Sequence, residues 1–177
     1  MTDTIPYRGK FLHFIERDGW EFVRRANAHA VVAVAARTRA DEIVLIEQRR
    51  KPLGEDGACV IELPAGLVGD DGAEDDLLAA ANRELAEETG YRAGHLELAG
   101  AGPSSAGLTD EIISFVIADR LDQIGPGGGV DGEDIRVHPV PLERVDDWLG
   151  RHLAAGRMVD PKVWAGLYLL RYATAGR

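Results

Sequence analysis

Three apolar, β-branched runs, Ala30 to Ala36, Glu42 to Glu47 and Cys59 to Leu63, lie close together and lead into a segment of helical period. The runs read as core strands. From Glu74 to Thr89, Leu78, Ala81 and Leu85 recur at helical spacing, and Gly90 stands where a helix C-cap belongs, so this segment reads as a helix. Before the core strands, Phe11 to Ile15 and Trp20 to Val23 flank Asp18-Gly19, a dipeptide suited to a tight turn, and predict an N-terminal antiparallel hairpin. After the helix, strands are expected at His95 to Ala99, Glu111 to Ala118 and Ile135 to Val140, with Gly125 to Gly129 as a mobile loop between the last two. Leu142 to Ala155 and Pro161 to Ala173 have helical periodicity. Strands and helices so intermingled predict an α+β fold, and residues 1–177 read as one domain, since no linker or internal repeat divides them.

The balance of charge excludes one large class of partner. With 30 acidic against 20 basic residues and a net charge of -10, the chain has no broad cationic footprint for nucleic acid. Cys59 is the single cysteine, so no internal disulfide is available, and its place in an apolar run reads as a buried thiol. No apolar stretch approaches the roughly 18 residues of a membrane span. The expectation is a cytoplasmic protein with no membrane partner.

Chemistry concentrates in Arg83-Glu84-Leu85-Ala86-Glu87-Glu88-Thr89-Gly90-Tyr91, preceded by Glu62-Leu63-Pro64-Ala65-Gly66. At about 100° per residue, Glu84, Glu87 and Glu88 share one arc of the helix beside the apolar stripe. Acidic runs on helices are usually solvated faces, and like charges at this spacing repel by a few tenths of a kcal/mol per pair. The flanking residues favour a different reading. Arg83, four residues before Glu87, is placed to pair with it and hold it, leaving Glu84 and Glu88 to face a hard divalent cation such as Mg²⁺. The Pro-Ala-Gly turn places the backbone carbonyl of Ala65 toward the same point.

These residues resemble the signature of the Nudix hydrolases, in which a Gly, five residues, a Glu and seven residues precede Arg-Glu-apolar-x-Glu-Glu-x-Gly-apolar. Arg83 to Tyr91 matches every fixed position of the second half. The first half departs from it: the spacing points to Gly69 and Asp75, while the Pro-Ala-Gly context points to Gly66, as a three-residue insertion between Leu67 and Ala73 would produce. The first acidic position is then either Glu74 or Asp75. The resemblance implies the Nudix fold, a mixed sheet sandwiched between helices. It also implies Mg²⁺, with Mn²⁺ as a substitute, held by Ala65, Glu84 and Glu88, with Glu87 completing or orienting the cluster and Arg83 bracing it.

Beyond that box the chain looks most like the ADP-ribose pyrophosphatase and nucleotide-sugar branch of the family. Gln48-Arg49-Arg50-Lys51-Pro52 resembles that branch's Gln-Tyr-Arg-x-Pro, which puts Arg50 on substrate phosphates. Trp20, Glu21 and Arg25 resemble an N-terminal element that crosses to a partner subunit and shapes the nucleobase pocket, implying a homodimer formed through residues 1–27. A core tryptophan in the hairpin is the other reading of Trp20. Asp131-Gly132-Glu133-Asp134-Ile135 resembles the branch's mobile acidic loop, which supplies a late carboxylate; Glu133 is the first choice and Asp131 the second, against an acidic loop with no role. Glu62 and Glu111 are expected to border the substrate, or, for Glu111, to be an ordinary strand-end carboxylate.

Ser104-Ser105-Ala106-Gly107 resembles a Ser-Pro-Gly element of the branch with Ala106 in place of Pro, which leaves nucleotide sugars other than ADP-ribose open. The implied reaction is hydrolysis of the pyrophosphate of a nucleoside diphosphate sugar to a nucleoside monophosphate and a sugar phosphate. The competing readings are hydrolysis of another derivative (GDP-mannose, NADH or a dinucleoside polyphosphate), a non-catalytic ADP-ribose sensor, and a Nudix-fold isomerase. The complete carboxylate set argues against the last two.

Overall fold

Asp18 and Gly19 have φ of 51° and 81°, the consecutive left-handed pair that a two-residue hairpin turn requires. They join β2 (Leu12–Arg17) to β3 (Trp20–Arg25), and β1 (Thr4–Arg8) pairs outside β2 to complete a three-stranded antiparallel sheet. The hairpin is as expected; β1 was not. This computed structural model describes residues 3–28, 30–54, 58–69, 76–130 and 132–175, with side chains to Tyr172. Glu74, Asp75 and Asp131, each named above as a candidate, lie outside the described residues.

The main sheet is built on β4 (Ala30–Arg37) and β5 (Glu42–Arg50), followed by β6 (Ala58–Glu62) and the short β7 (Ala65–Val68). Helix α1 (Leu77–Thr89) comes next, then β8 (Tyr91–Pro103), β9 (Ile112–Gln123) and β10 (Ile135–Pro141). The described chain closes with α2 (Val145–Ala154), β11 (Met158–Val159) and α3 (Pro161–Ala175). The strand order is β11-β6-β5-β4-β9-β8, with β10 beside β5 and β7 beside β4. β4 runs parallel to β9 and antiparallel to β5 and β7, so the sheet is mixed.

The β4 sequence is apolar throughout because both of its faces are covered. Val31, Ala33 and Ala35 pack with Val145 and Leu149 of α2 and Val163, Leu167 and Leu170 of α3. Val32, Val34 and Ala36 pack on the opposite side with Ala80, Ala81 and Leu85 of α1. This period-2 alternation makes the three-layer arrangement expected of the fold. No helix among the described residues is long and apolar enough to cross a membrane.

Several boundaries differ from the sequence reading. β8 and β9 extend well beyond the apolar runs that marked them, because each pairs along the other from Tyr91↔Gln123 to Pro103↔Ile112. The Pro-Ala-Gly segment does not simply turn: Val34 donates to the Pro64 carbonyl at 2.8 Å, and Ala65 and Gly66 then run against Ala33 and Val32 as a strand. The segment expected to be helical from Leu142 begins as a 3-10 turn, and α2 proper starts at Val145.

Candidate active site

Helix α1 is delimited by local chemistry at both ends. The Asp76 carboxylate accepts the Ala79 N–H at 2.8 Å as an N-cap, and Gly90, at φ 74°, donates its N–H to the Ala86 carbonyl at 2.9 Å. The last carbonyls of a helix have no partner within it. Here the Gly-rich stretch supplies them: the Gly128 N–H bonds the Glu88 carbonyl at 2.9 Å and the Gly129 N–H that of Glu87 at 3.1 Å. A β-carbon on Gly90 would lie 2.2 Å from the Gly125 oxygen, so both strained conformation and close approach demand glycine there. The segment expected as a mobile loop is docked on the end of α1, and its docking sets Glu133 beside the carboxylate ridge.

The ridge faces a cleft of about 370 Å³ lined by Arg25, Arg50, Glu62, Ala65, Gly66, Glu84, Glu88, Glu111, Glu133 and Lys162, with Gln48, Val31, Leu67 and Ile113. Eight residues nominated from the sequence therefore meet in one place. Glu88 is only 5% exposed and accepts the Ala65 N–H on Oε2 at 3.0 Å. Burial, reinforced by the negative charges of Glu84 and Glu133, pushes its pKa from 4.5 to about 8, against the opposing pull of the Ala65 N–H and Arg50. Ala65 thus meets Glu88 through its N–H, a contact separate from the role that the sequence reading gives its carbonyl as a cation ligand.

Arg83 also differs in emphasis. It lies 3.8 Å from Glu87, the expected i,i+4 pairing, but its stronger bond is to Glu84 Oε1 at 2.9 Å. Glu84 is therefore oriented by Arg83 and not left to the cleft alone. Arg83 and Glu87 are not among the residues that line the cleft. Gly66 fits against Glu84: a β-carbon there would fall 1.9 Å from its carboxyl carbon, so any side chain would displace that carboxylate.

In the same cleft, Arg50 meets Glu62 in a two-bond fork, Nε to Oε1 at 2.7 Å and Nη2 to Oε2 at 2.6 Å. Glu62 is 3% exposed, so this carboxylate acts on Arg50 from beneath and aims its guanidinium at the cleft. Arg25 is likewise paired with Glu111, joining β3 to the start of β9 at the cleft rim. Val23 donates to the Leu108 carbonyl at 2.9 Å and Arg24 bonds Asp110 at 2.6 Å, which seats the N-terminal sheet against the same rim. Trp20 is 62% exposed and Glu21 is exposed, so the core-tryptophan reading does not hold within one chain, and neither residue lines the cleft.

Among the described residues no three His, Cys, Asp or Glu side chains already converge on one coordination point. The donor set still suits a hard cation, being entirely carboxylate oxygen, with Glu88 buried among like charges that a dication would relieve. Glu84 and Glu88 are the side chains of the cleft that would hold it, with Glu133 beside them.

The NUDIX domain model matches residues 27–158. The chain belongs to the Nudix family. It is similar to the methanol dehydrogenase activator of Bacillus methanolicus, 37% identical over 155 residues that cover 88% of this chain and 77% of that relative. It is also similar to the ADP-ribose pyrophosphatase of Bacillus subtilis (strain 168), 36% identical over 124 residues, 70% of this chain and 62% of that protein. This last alignment spans less than two thirds of the relative's length. Among solved structures, the crystal structure of an ADP compounds hydrolase superposes with a TM-score of 0.72 at 21% identity, over 99% of this chain and 93% of that one. That likeness bears on the Nudix fold.

Sequence reasoning missed Lys162. Asp160-Pro161 announces a helix start, with Asp as cap and Pro in the first turn, but not where that start lies. Its place follows from the parallel pairing of β11 with β6, Met158↔Val60 and Val159↔Ile61, which returns the chain to the cleft.

Proposed function

We propose that this Nudix protein hydrolyses the pyrophosphate of a nucleoside diphosphate sugar, ADP-ribose-like, to a nucleoside monophosphate and a sugar phosphate, using Mg²⁺ or Mn²⁺. The observation that carries this reading is that one cleft brings the carboxylates of Glu84, Glu88 and Glu133 together with Arg50, which is braced by buried Glu62. A pyrophosphate in that cleft meets both carboxylates suited to a cation and a phosphate-matched guanidinium.

A bound dication neutralises phosphate charge and makes water a stronger nucleophile. The residues do the rest. Arg50 fixes the phosphates and withdraws charge from their oxygens, while Arg83 and the Ala65 N–H keep Glu84 and Glu88 in place. Glu133 Oε2, which accepts the Val130 N–H at 3.2 Å, is positioned to take the proton of the attacking water, with Asp131 as the second choice. An acidic chain acting on a polyanion is consistent, because the local sign at the cleft is set by the dication and Arg50.

Purified protein with Mg²⁺ is expected to release AMP and ribose 5-phosphate from ADP-ribose, and chelation should abolish the release. GDP-mannose, NADH and a dinucleoside polyphosphate in the same chromatographic assay distinguish the substrate readings. Tight binding of ADP-ribose with no product from any of the four would replace the hydrolase with the sensor.

The nucleobase side of this reading calls for a second copy of the chain. Tyr7, Leu12 and Trp20 on the N-terminal sheet, and Phe11 in the connection between its first two strands, are all exposed, an arrangement that suits a partner. Arg25 lines this chain's own cleft, while Trp20 and Glu21 would reach a nucleobase only from the other copy. Sedimentation at a dimer's mass, lost in a chain lacking residues 1–27, is the expected result; a monomer in the intact chain removes this part of the proposal.

A further inference from the structure

Lys162 lines the cleft together with Arg50, Glu88 and Glu133, although it comes from a different part of the chain. Its position is held by Asp160, whose Oδ1 accepts the Lys162 N–H at 2.7 Å and whose Oδ2 accepts Nζ at 2.5 Å. Asp160 is anchored in turn, donating its N–H to the Ile61 carbonyl and accepting the Val163 N–H on its own carbonyl, both at 2.9 Å. Ile61 directly precedes Glu62, so the supports of Lys162 and Arg50 are adjacent on one strand. Neither side chain of the Asp160–Lys162 pair is freely solvated, at 27% exposure for Lys162 and 19% for Asp160.

Helix stability does not account for this lysine. A cation in the first turn of a helix opposes the macrodipole, whose positive end lies there. Its ion pair offsets that cost without explaining why the residue lines the cleft. The cleft does explain it. Arg50 already commits Nε and Nη2 to Glu62, and a pyrophosphate presents two phosphoryl groups to be neutralised. An ammonium has three donors, of which Asp160 takes one.

We propose that Lys162 is a substrate-binding residue that contacts the pyrophosphate beside Arg50, and that Asp160 is the positioning residue that presents it. This deepens the hydrolase reading and rests on it for the identity of the substrate.

The test compares wild type, K162Q and K162R in Mg²⁺. Hydrolysis of ADP-ribose gives KM and kcat separately, and calorimetry with a methylene-bridged, non-hydrolysable ADP-ribose gives affinity without turnover. Loss of one charge-assisted phosphate contact should raise KM, and weaken analogue binding, by about tenfold in K162Q. The fall in kcat should be smaller, K162R should recover most of the affinity, and the melting temperature should stay near that of wild type. Analogue binding and KM within about twofold of wild type in K162Q would overturn the proposal. So would equal loss in K162R and K162Q accompanied by a lowered melting temperature, which marks a structural role. If wild type binds the analogue but releases no AMP, the hydrolase reading fails while the binding comparison still decides Lys162. If wild type does not bind the analogue, both fall.

Discussion

Glu88→Gln is expected to reduce turnover on the order of a thousandfold while leaving the metal-free protein at least as stable as wild type. The two halves of this result have one cause. Glu88 is 5% exposed, and burial with the charges of Glu84 and Glu133 raises its pKa from 4.5 to about 8. A group whose folded pKa lies above its unfolded value favours the native state while it is neutral. Its stabilisation is complete below pH 4.5 and is lost as the pH rises from there through about 8. Glutamine keeps the shape and the acceptor for the Ala65 N–H but cannot ionise, so it escapes that loss. In the absence of metal, melting temperature plotted against pH should therefore fall for wild type between pH 4.5 and about pH 8 and stay flatter for the variant, by about the weight of this one group. With Mg²⁺ the comparison reverses, because only the carboxylate gains from the cation, and the gain grows as the pH rises. Equal turnover in variant and wild type would remove Glu88 from the site. An unchanged pH profile without metal would show instead that burial does not hold its proton.

What could be read in advance follows from the range of the forces involved. α1 was legible because its determinants are local: the stripe of Leu78, Ala81 and Leu85 buries against β4, and Gly90 ends the helix at a left-handed residue. β4 and β5 were legible because strands covered on both faces are apolar without interruption. β7 and β11 were not, since Ala65–Val68 and Met158–Val159 are too short to carry a period, and their strand character comes from pairing with β4 and β6. The same contrast runs through the site. Glu84, Glu88 and Arg50 belong to patterns of closely spaced residues, and the fold brings them to one cleft. Lys162 arrives there through a parallel strand pairing that its own sequence does not encode. Composition gave Gly125 to Gly129 conformational freedom, but only the unsatisfied carbonyls of Glu87 and Glu88 determine where that freedom is spent.

Arg50 and Glu62 should prove inseparable in stability and separable in function. Arg50→Ala leaves a 3% exposed carboxylate with its two short bonds broken, and breaking a buried pair from one side costs roughly 3–5 kcal/mol. The Arg50 side chain is 43% exposed, so water softens that cost and about 2 kcal/mol is expected in chemical denaturation. Glu62→Gln should cost less, because the amide oxygen still accepts one of the two bonds. Replacing both residues by apolar ones of similar volume, Arg50→Met with Glu62→Leu, should recover most of the stability, since no charge is then left without its partner. Activity should follow a different order. Arg50→Ala and the double variant should both lose roughly a hundredfold in kcat/KM, because each lacks the guanidinium proposed to meet phosphate. Glu62→Gln should lose only about tenfold, as Arg50 remains but is less firmly aimed. If the double variant regains activity together with stability, Arg50 serves the fold and the phosphate-binding group must be sought elsewhere in the cleft. If stability returns while catalysis does not, the buried glutamate is there to present a cation that the fold itself does not require.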